Sequence, residues 1–299
     1  MKNGIIKEKR SVIPMAEIIS ASHDVVFKAL FVRNPDILKA FLSDVLDLPL
    51  TDKDEIVILN PELIPDTPDG KLSRLDIHVN MADRKFNIEM QARKKGFSPE
   101  RVLYYWCEMY GEKFESGSKY EELEQTYSVN ILGFRYLDCT DYHSSFSILE
   151  NTRYEKLTDK LSIHIFELPK VPKELISGDN KQKWMELIKA DSEEALEMVR
   201  VTTENPAIKK GIDAVYELNA DTILREQIRQ RDKAVRDYEN DMAIMLSQGR
   251  KEGRAEGVSI GEIQKAVAVV KKLMQENFTL ENALAIAEID RETYEKYST

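Results

Sequence analysis

Polar and apolar residues alternate through two neighbouring segments, 75–81 and 86–91, as they do in strands that bury one face. The apolar positions are Leu75, Ile77, Val79, Met81, Phe86, Ile88 and Met90. Residues 82–85 separate the segments and have turn-like composition, which predicts a hairpin with Met81 opposite Phe86. The pattern therefore predicts an antiparallel strand pair with one apolar and one polar face.

Helical spacing of apolar residues predicts three helices in the first half of the chain, and short apolar runs predict three further strands. The helices cover 24–31, 35–46 and 99–116, and the strands cover 56–59, 127–134 and 161–168. A helix between two strands favours a crossover connection onto a sheet. This order of elements predicts an α/β fold with a mixed sheet flanked by helices.

The chain changes character after Asp221. Residues that step by four and three predict a coiled-coil seam, and they are Leu224, Ile228, Arg231, Val235, Tyr238, Met242 and Met245. Glycine then recurs every four residues from 249 to 261, which fits either two closely packed helices or a flexible charged connector. We expect a core domain in 1–200, a helical, partly coiled-coil segment in 201–248, a Gly-repeat connector in 249–261 and a small helical segment in 262–299.

Composition narrows the class of protein. A chain of 299 residues with 42% hydrophobic residues can bury a sizeable core. Because it has no apolar run of about 20 residues and no apolar leader at its amino terminus, we expect a cytoplasmic protein without membrane contact. Two cysteines without metal-ligand spacing argue against zinc and against a disulfide. The net charge of −10 argues against general binding of nucleic acids.

Two carboxylates on the polar face of the hairpin suggest metal chemistry. The predicted register places Asp76 opposite Gln91 and diagonal to Glu89, with roughly 7–8 Å between the diagonal backbones. Mg²⁺ takes oxygen ligands and keeps several waters, so this pair can share one ion. Gln91 can hold a water by hydrogen bonding, although an amide is no base near neutral pH. The solvated face of an ordinary antiparallel pair shows the same alternation, so both interpretations stay open.

Basic and aromatic residues lie near these carboxylates in the sequence. Arg93, Lys94, Lys95 and Arg101 form a strip that would contact DNA phosphates, or else a solvated loop. The other positions of interest are Asp24, Lys28, His78, Tyr104, Tyr105 and Trp106. Each has an ordinary alternative: Asp24 as a helix cap, Lys28 as a surface charge, and His78 as a lone exposed histidine. Tyr104 and Tyr105 can stack on bases, whereas Trp106 lies on the apolar stripe and is expected in the core.

Five segments in a fixed order are more specific than any one of them. They are DVVFKALF, DGKLSRLDIHV, FNIEMQ, ERVLYYWCEMYG and YSVNILGF. This ordered set resembles the PD-(D/E)XK nuclease family of transposases, also called recombination-promoting nucleases (Rpn). The resemblance covers about the first 200 residues, and the charged GRKEGRAEG segment looks like the variable tails of that family. It implies a restriction-endonuclease-like core and DNA endonuclease activity that depends on Mg²⁺ or Mn²⁺.

The resemblance also implies roles for individual residues. Asp76 matches the metal-binding Asp, Glu89 the acidic residue of the next strand, and Gln91 the position after the one-residue gap. Leu75 stands where the family name has proline, a position at which proline is often absent. Gln91 stands where lysine is usual, although E-x-Q is similar to this transposase-like branch. Lys28 or Lys71 can supply the missing charge from elsewhere.

Three hypotheses follow. The first is a metal-dependent DNA endonuclease linked to recombination or transposition, with a homodimer through the carboxyl-terminal helices that brings two sites to the two strands. The second is a DNA-binding or regulatory protein that keeps the scaffold without cleavage. The third is a scaffold protein whose coiled coil is the functional part.

Overall fold

The structure of the protein, a computed structural model, describes residues 18–51, 53–60, 76–81, 83–94, 96–112, 117, 119–176 and 178–298. The chain divides into two compact units, of which the first ends at Ile228 and the second begins at Arg229. The first unit contains a six-stranded mixed sheet with helices packed on both faces. The predicted α/β class is therefore confirmed.

The described elements follow the predicted order. The strands are β1 (Ile56–Ile58), β2 (Ile77–Met81), β3 (Arg84–Gln91), β4 (Gln125–Leu132), β5 (His143–Phe146) and β6 (Leu161–Glu167). The helices are α1 (Asp24–Arg33), α2 (Pro35–Leu46), α3 (Pro99–Gly111), α4 (Asn180–Lys189), α5 (Glu193–Thr202), α6 (Pro206–Ala220), α7 (Thr222–Gln275), α8 (Leu280–Ile286) and α9 (Arg291–Tyr297). The short polar strand β5 was not predicted, because His143–Phe146 has no apolar run.

The sheet has the strand order β1-β2-β3-β4-β6-β5. β3 pairs with β4 in parallel and β4 with β6 in parallel, whereas the other three pairs are antiparallel. Since α3 lies between β3 and β4 in the chain, it forms the crossover that a parallel pair requires. β3 therefore lies in the middle of the sheet, and α3 is the next helix along the chain.

The predicted register of the hairpin was wrong by two residues. β3 already begins at Arg84, which pairs with Met81, and Ile77 pairs with Ile88. Arg84 and Lys85 look like turn residues in the sequence, but they belong to the strand, and the Lys85 side chain is buried. Ala82, the first residue of the predicted turn, lies outside the described residues.

The two faces of the sheet carry different cores. The apolar residues of β2 and β3, with those of β4, pack against α1, α2, α4 and α6 in the main core, where Trp184 is fully buried. On the opposite face α3 forms a smaller core, in which Val102 and Trp106 meet Leu161 and Ile163. Trp106 also donates from Nε1 to the Thr126 carbonyl at 2.9 Å, so the expectation that it is a core residue is confirmed.

The polar residues of β3 and β4 lie on the face that α3 covers. They are buried between helix and sheet, and they comprise Lys85, Asn87, Glu89, Thr126, Ser128 and Asn130. Burying a polar group without a hydrogen-bond partner costs free energy of folding. These side chains therefore destabilise the fold unless each is paired or binds a ligand. The alternation in the sequence was also compatible with a polar face exposed to solvent. The structure instead buries Lys85, Asn87 and Glu89 of β3.

The described carboxyl-terminal region consists of the helices α7, α8 and α9, joined by short turns. The glycine row lies inside α7, which continues through 249–261 without a second helix packed against the glycines among the described residues. Val270 packs with Ala283 and Leu284 in a small core, and Thr279 caps α8 by accepting from Asn282 N. None of the described helices combines the length and apolar character needed to cross a membrane.

The predicted seam divides into two parts. Leu224 and Ile228 pack into the main core of the first unit, whereas Tyr238, Met242 and Met245 are exposed on α7. The compact first unit thus continues past residue 200, and α6 packs against α1 and α2. The functional division at residue 200 stays a prediction.

Candidate metal site

Asp76 and Glu89 lie on the same polar face of the hairpin. Asp76 directly precedes β2, and one further step of the observed register beyond Ile77 and Ile88 places it opposite Glu89. Their side chains are mostly buried, with 14% of Asp76 and 10% of Glu89 exposed. Because directly opposite residues lie closer than diagonal ones, the corrected register brings the two acids nearer than the sequence predicted.

Asp76 is held by its neighbours on the hairpin. His78 Nε2 lies 2.7 Å from Asp76 Oδ2, and the Asn60 amide both donates to the Asp76 carbonyl and accepts from His78 N. Burial raises the pKa of Asp76, but the hydrogen bond from His78 and the positive charges of His78 and Lys28 outweigh it and leave the pKa below its ordinary value. Asp76 is therefore ionised at neutral pH, as a metal ligand must be.

Glu89 is held from α3. Arg101, in the first turn of the helix, donates from Nη2 to Glu89 Oε1 at 3.0 Å and from Nη1 to the Gly96 carbonyl at 3.0 Å. The guanidinium lies 5.5 Å from the centre of the Tyr105 ring. The sequence placed Arg101 among the phosphate contacts, and it did not indicate this ion pair with the proposed metal ligand.

Two amides flank Glu89, and sequence reasoning missed both. Asn87 precedes Glu89 by two residues on β3, and Asn130 lies across from it on β4. The Asn130 amide nitrogen donates to Ser128 Oγ and to the His164 carbonyl, which fixes the orientation of its side chain. Within the described residues, the side-chain oxygens of Asn87 and Asn130 are buried and have no hydrogen-bond partner. The signal was present in the sequence, since Ser128 and Asn130 interrupt an otherwise apolar run.

These oxygen atoms fit a hard divalent cation. Asp76, Glu89, Asn87 and Asn130 occupy neighbouring positions of the sheet and offer only oxygen atoms as ligands, and the two amide oxygens have no hydrogen-bond partner among the described residues. No group of three or more His, Cys, Asp or Glu residues gathers as a metal cage in the described part of the chain. Asp76 and Glu89 would therefore hold an ion together with water and phosphate oxygens, in the way that Mg²⁺ is usually bound.

Gln91 lies at the end of β3, on the same face as Glu89. Its side-chain amide donates to the Arg93 carbonyl at 3.2 Å. Its backbone carbonyl accepts from Gly133 N at 2.9 Å, where a side chain on residue 133 would collide with the Ala92 carbonyl. The ends of β3 and β4 are thus held together directly beside the site.

The remaining predicted residues have different positions. Lys28 is only 2% exposed, so the surface-charge interpretation was wrong, and its charge reaches Asp76. His23 is the N-cap residue of α1, and Asp24, in the first helical turn, also accepts from Val25 N through Oδ1 at 2.8 Å, as the capping alternative expected. Arg93 and Lys94 are exposed directly after β3. Lys71 and Lys95 lie outside the described residues.

The family model described as PD-(D/E)XK nuclease family transposase matches residues 21–244. The chain belongs to the PD-(D/E)XK nuclease family of transposases. The matched region begins before α1 and contains every described strand, so Asp76 and Glu89 lie inside the family's own domain. No curated protein and no solved structure gave a significant match.

Proposed function

We propose that this PD-(D/E)XK protein is a metal-dependent DNA endonuclease that hydrolyses phosphodiester bonds in recombination or transposition. The observation that carries the proposal is the register of β2 and β3, which extends to place Asp76 opposite Glu89 within the family's domain. Mg²⁺ or Mn²⁺ would be held by these two carboxylates. When bound, such an ion supplies an acidified water and offsets negative charge on a phosphodiester.

The chain's own residues then have distinct tasks. Asp76 stays ionised because of His78 and Lys28, so it is ready to bind a cation. Gln91, beside Glu89, orients water through its amide. Arg93 and Lys94, exposed at the end of β3, contact the DNA backbone on the same edge, and Lys95 would extend this strip.

Lys28 is the residue that we propose as a replacement for the lysine of the family name. Gln91 occupies that position and carries no charge. Lys28 is buried in α1, and its charge lowers the pKa of Asp76, so it already acts on the site electrostatically. A buried cation acts more strongly than an exposed one, because water screens it less.

A second copy of the chain is the partner we propose for α7. Tyr238, Met242 and Met245 are exposed on this helix at the four-and-three spacing of a coiled-coil seam. A homodimer through this seam would give the enzyme two sites, one for each strand of a duplex.

The alternative is a DNA-binding protein on the same scaffold that does not cleave. Gln91 in place of lysine, with its amide turned to the Arg93 carbonyl, favours it. Incubating purified protein with supercoiled plasmid and Mg²⁺ or Mn²⁺ separates the two. We expect nicked circles that EDTA prevents, whereas retarded plasmid without nicking at either metal would reject the endonuclease.

A further inference from the structure

Arg101 is fixed at the edge of the candidate metal site. Its backbone N donates to Ser98 Oγ, the cap of α3, and two of its guanidinium nitrogens donate to Glu89 and to the Gly96 carbonyl. The third nitrogen, Nε, is buried and has no acceptor among the described residues. The guanidinium is therefore held beside Glu89 with its hydrogen-bonding capacity only partly used.

The ion pair competes with a metal ion for the same carboxylate. Arg101 lies 3.0 Å from Glu89 Oε1, and a cation bound to Glu89 would have to share this oxygen with the guanidinium or displace it. Two positive charges at such a distance repel each other, and more strongly in a site that is largely closed to water. Glu89 therefore binds a metal ion best when Arg101 has another acceptor.

A DNA phosphate is the acceptor that the guanidinium fits. Arginine presents a planar fork of donors that matches the oxygens of a phosphate, and Nε, which is buried and unused beside Glu89, becomes a further donor when the guanidinium turns outward. About a fifth of the Arg101 side chain is exposed, 23%, so a ligand can reach it. The basic strip of Arg93 and Lys94 starts two residues after β3 and would bring the backbone of DNA to this edge.

We propose that Arg101 is a positioning residue that couples metal binding to DNA binding. In the metal-free protein its guanidinium neutralises Glu89, and on DNA it moves to a phosphate and releases Glu89 for the ion. The coupling is reciprocal, so bound metal also strengthens DNA binding by the same factor. This inference rests on the proposed metal site at Asp76 and Glu89. It adds that this site binds a metal ion tightly when DNA is bound.

Titration of the full chain with Mn²⁺ tests the coupling, with bound metal measured by electron paramagnetic resonance. Without DNA, we expect Arg101→Gln to bind Mn²⁺ about tenfold more tightly than the wild type. With a saturating short duplex, the wild type should gain about tenfold in affinity and Arg101→Gln should gain little. The duplex is kept in large excess over the protein, so intact DNA remains saturating even while part of it is cut.

Two variants serve as controls. Arg153→Gln makes the same change at an arginine outside the site, where 63% of the side chain is exposed and the guanidinium pairs with Glu150 and Glu155. It should bind Mn²⁺ as the wild type does without DNA and should show the same gain with the duplex. Arg101→Lys retains the charge without the fork, and we expect it to keep the weak metal binding of the wild type without DNA. Equal DNA-free affinities in wild type and Arg101→Gln, or an equal gain with DNA, would overturn the coupling.

The same titration separates this inference from the proposed function. Glu89→Gln should lose the tight Mn²⁺ site in the presence and absence of DNA. If Glu89→Gln binds Mn²⁺ as the wild type does, the metal site and the coupling are both rejected. If Glu89→Gln loses the ion but Arg101→Gln matches the wild type, the metal site stands and only the role of Arg101 falls.

Discussion

Replacing Asp76 by Asn or Glu89 by Gln is expected to lower the rate of metal-dependent plasmid nicking by at least about 100-fold. Each change keeps the shape of the side chain and removes a negative charge that a divalent cation needs. A metal ion contributes several kcal/mol to stabilising the transition state, and about 1.4 kcal/mol corresponds to a factor of ten in rate. The rate is measured from the conversion of supercoiled to nicked plasmid at saturating Mg²⁺.

Asp83→Asn is the matched control for these two variants. Asp83 belongs to the same hairpin, but its side chain is 82% exposed at the turn. We expect it to nick at the rate of the unaltered protein. Thermal unfolding of all three variants shows whether a loss of rate reflects loss of fold, and a folded Asp76→Asn protein with full activity would refute the role of Asp76.

Replacing Lys85 by Met is expected to lower the free energy of unfolding by roughly 1–3 kcal/mol, because it leaves two part-buried carbonyl acceptors without their charged donor. Lys85 is 3% exposed, and its ammonium donates to the carbonyls of Met109 and Glu112 at 3.0 Å each and lies 3.5 Å from Glu124 Oε2. These carbonyls lie at the end of α3, the helix that carries Arg101. Lys85 therefore holds α3 against the sheet. Urea denaturation followed by circular dichroism measures the change.

Lys210→Met provides the comparison for Lys85. Lys210 pairs with Asp36 on the surface, where both side chains are more than half exposed. Exposed pairs contribute about 0–1 kcal/mol, so this variant should unfold almost as the parent does. If both lysine variants lose the same small amount, Lys85 does not hold α3 to the sheet.

The sequence indicated the fold class and the two acids, because their signals are local. Alternation over a few residues determines which face Asp76 and Glu89 share, whatever the partner strand. The ordered segments then indicated the family, which the family match confirmed.

The register of β2 and β3 and the residues that contact Glu89 could not be predicted, because they depend on contacts between residues far apart in the sequence. Arg84 and Lys85 have the composition of a turn, and only the end of α3 explains why Lys85 is buried in a strand. Asn130 lies about forty positions from Glu89 in the sequence, and the parallel pairing of β3 and β4 brings them side by side. The pairing of Arg101 with Glu89 likewise required the position of α3 over the sheet.

The four glycines of α7 show that intrinsic helix propensity alone does not predict where this helix continues. Four glycines at 249, 253, 257 and 261 cost about 1 kcal/mol each in a helix relative to alanine, which made a connector an equal alternative. α7 nevertheless continues through all four. No atom lies within 4 Å of the place where a side chain on any of them would begin, so contacts among the described residues do not explain why glycine is used there.

Anomalous diffraction from crystals soaked in Mn²⁺ shows whether Asp76 and Glu89 hold a metal ion, since it locates the ion without relying on activity. The account predicts a peak within roughly 2.0–2.6 Å of one carboxylate oxygen of Asp76 and one of Glu89. A Mn²⁺ peak held by other residues, with both of these carboxylates turned away from it, would contradict the account.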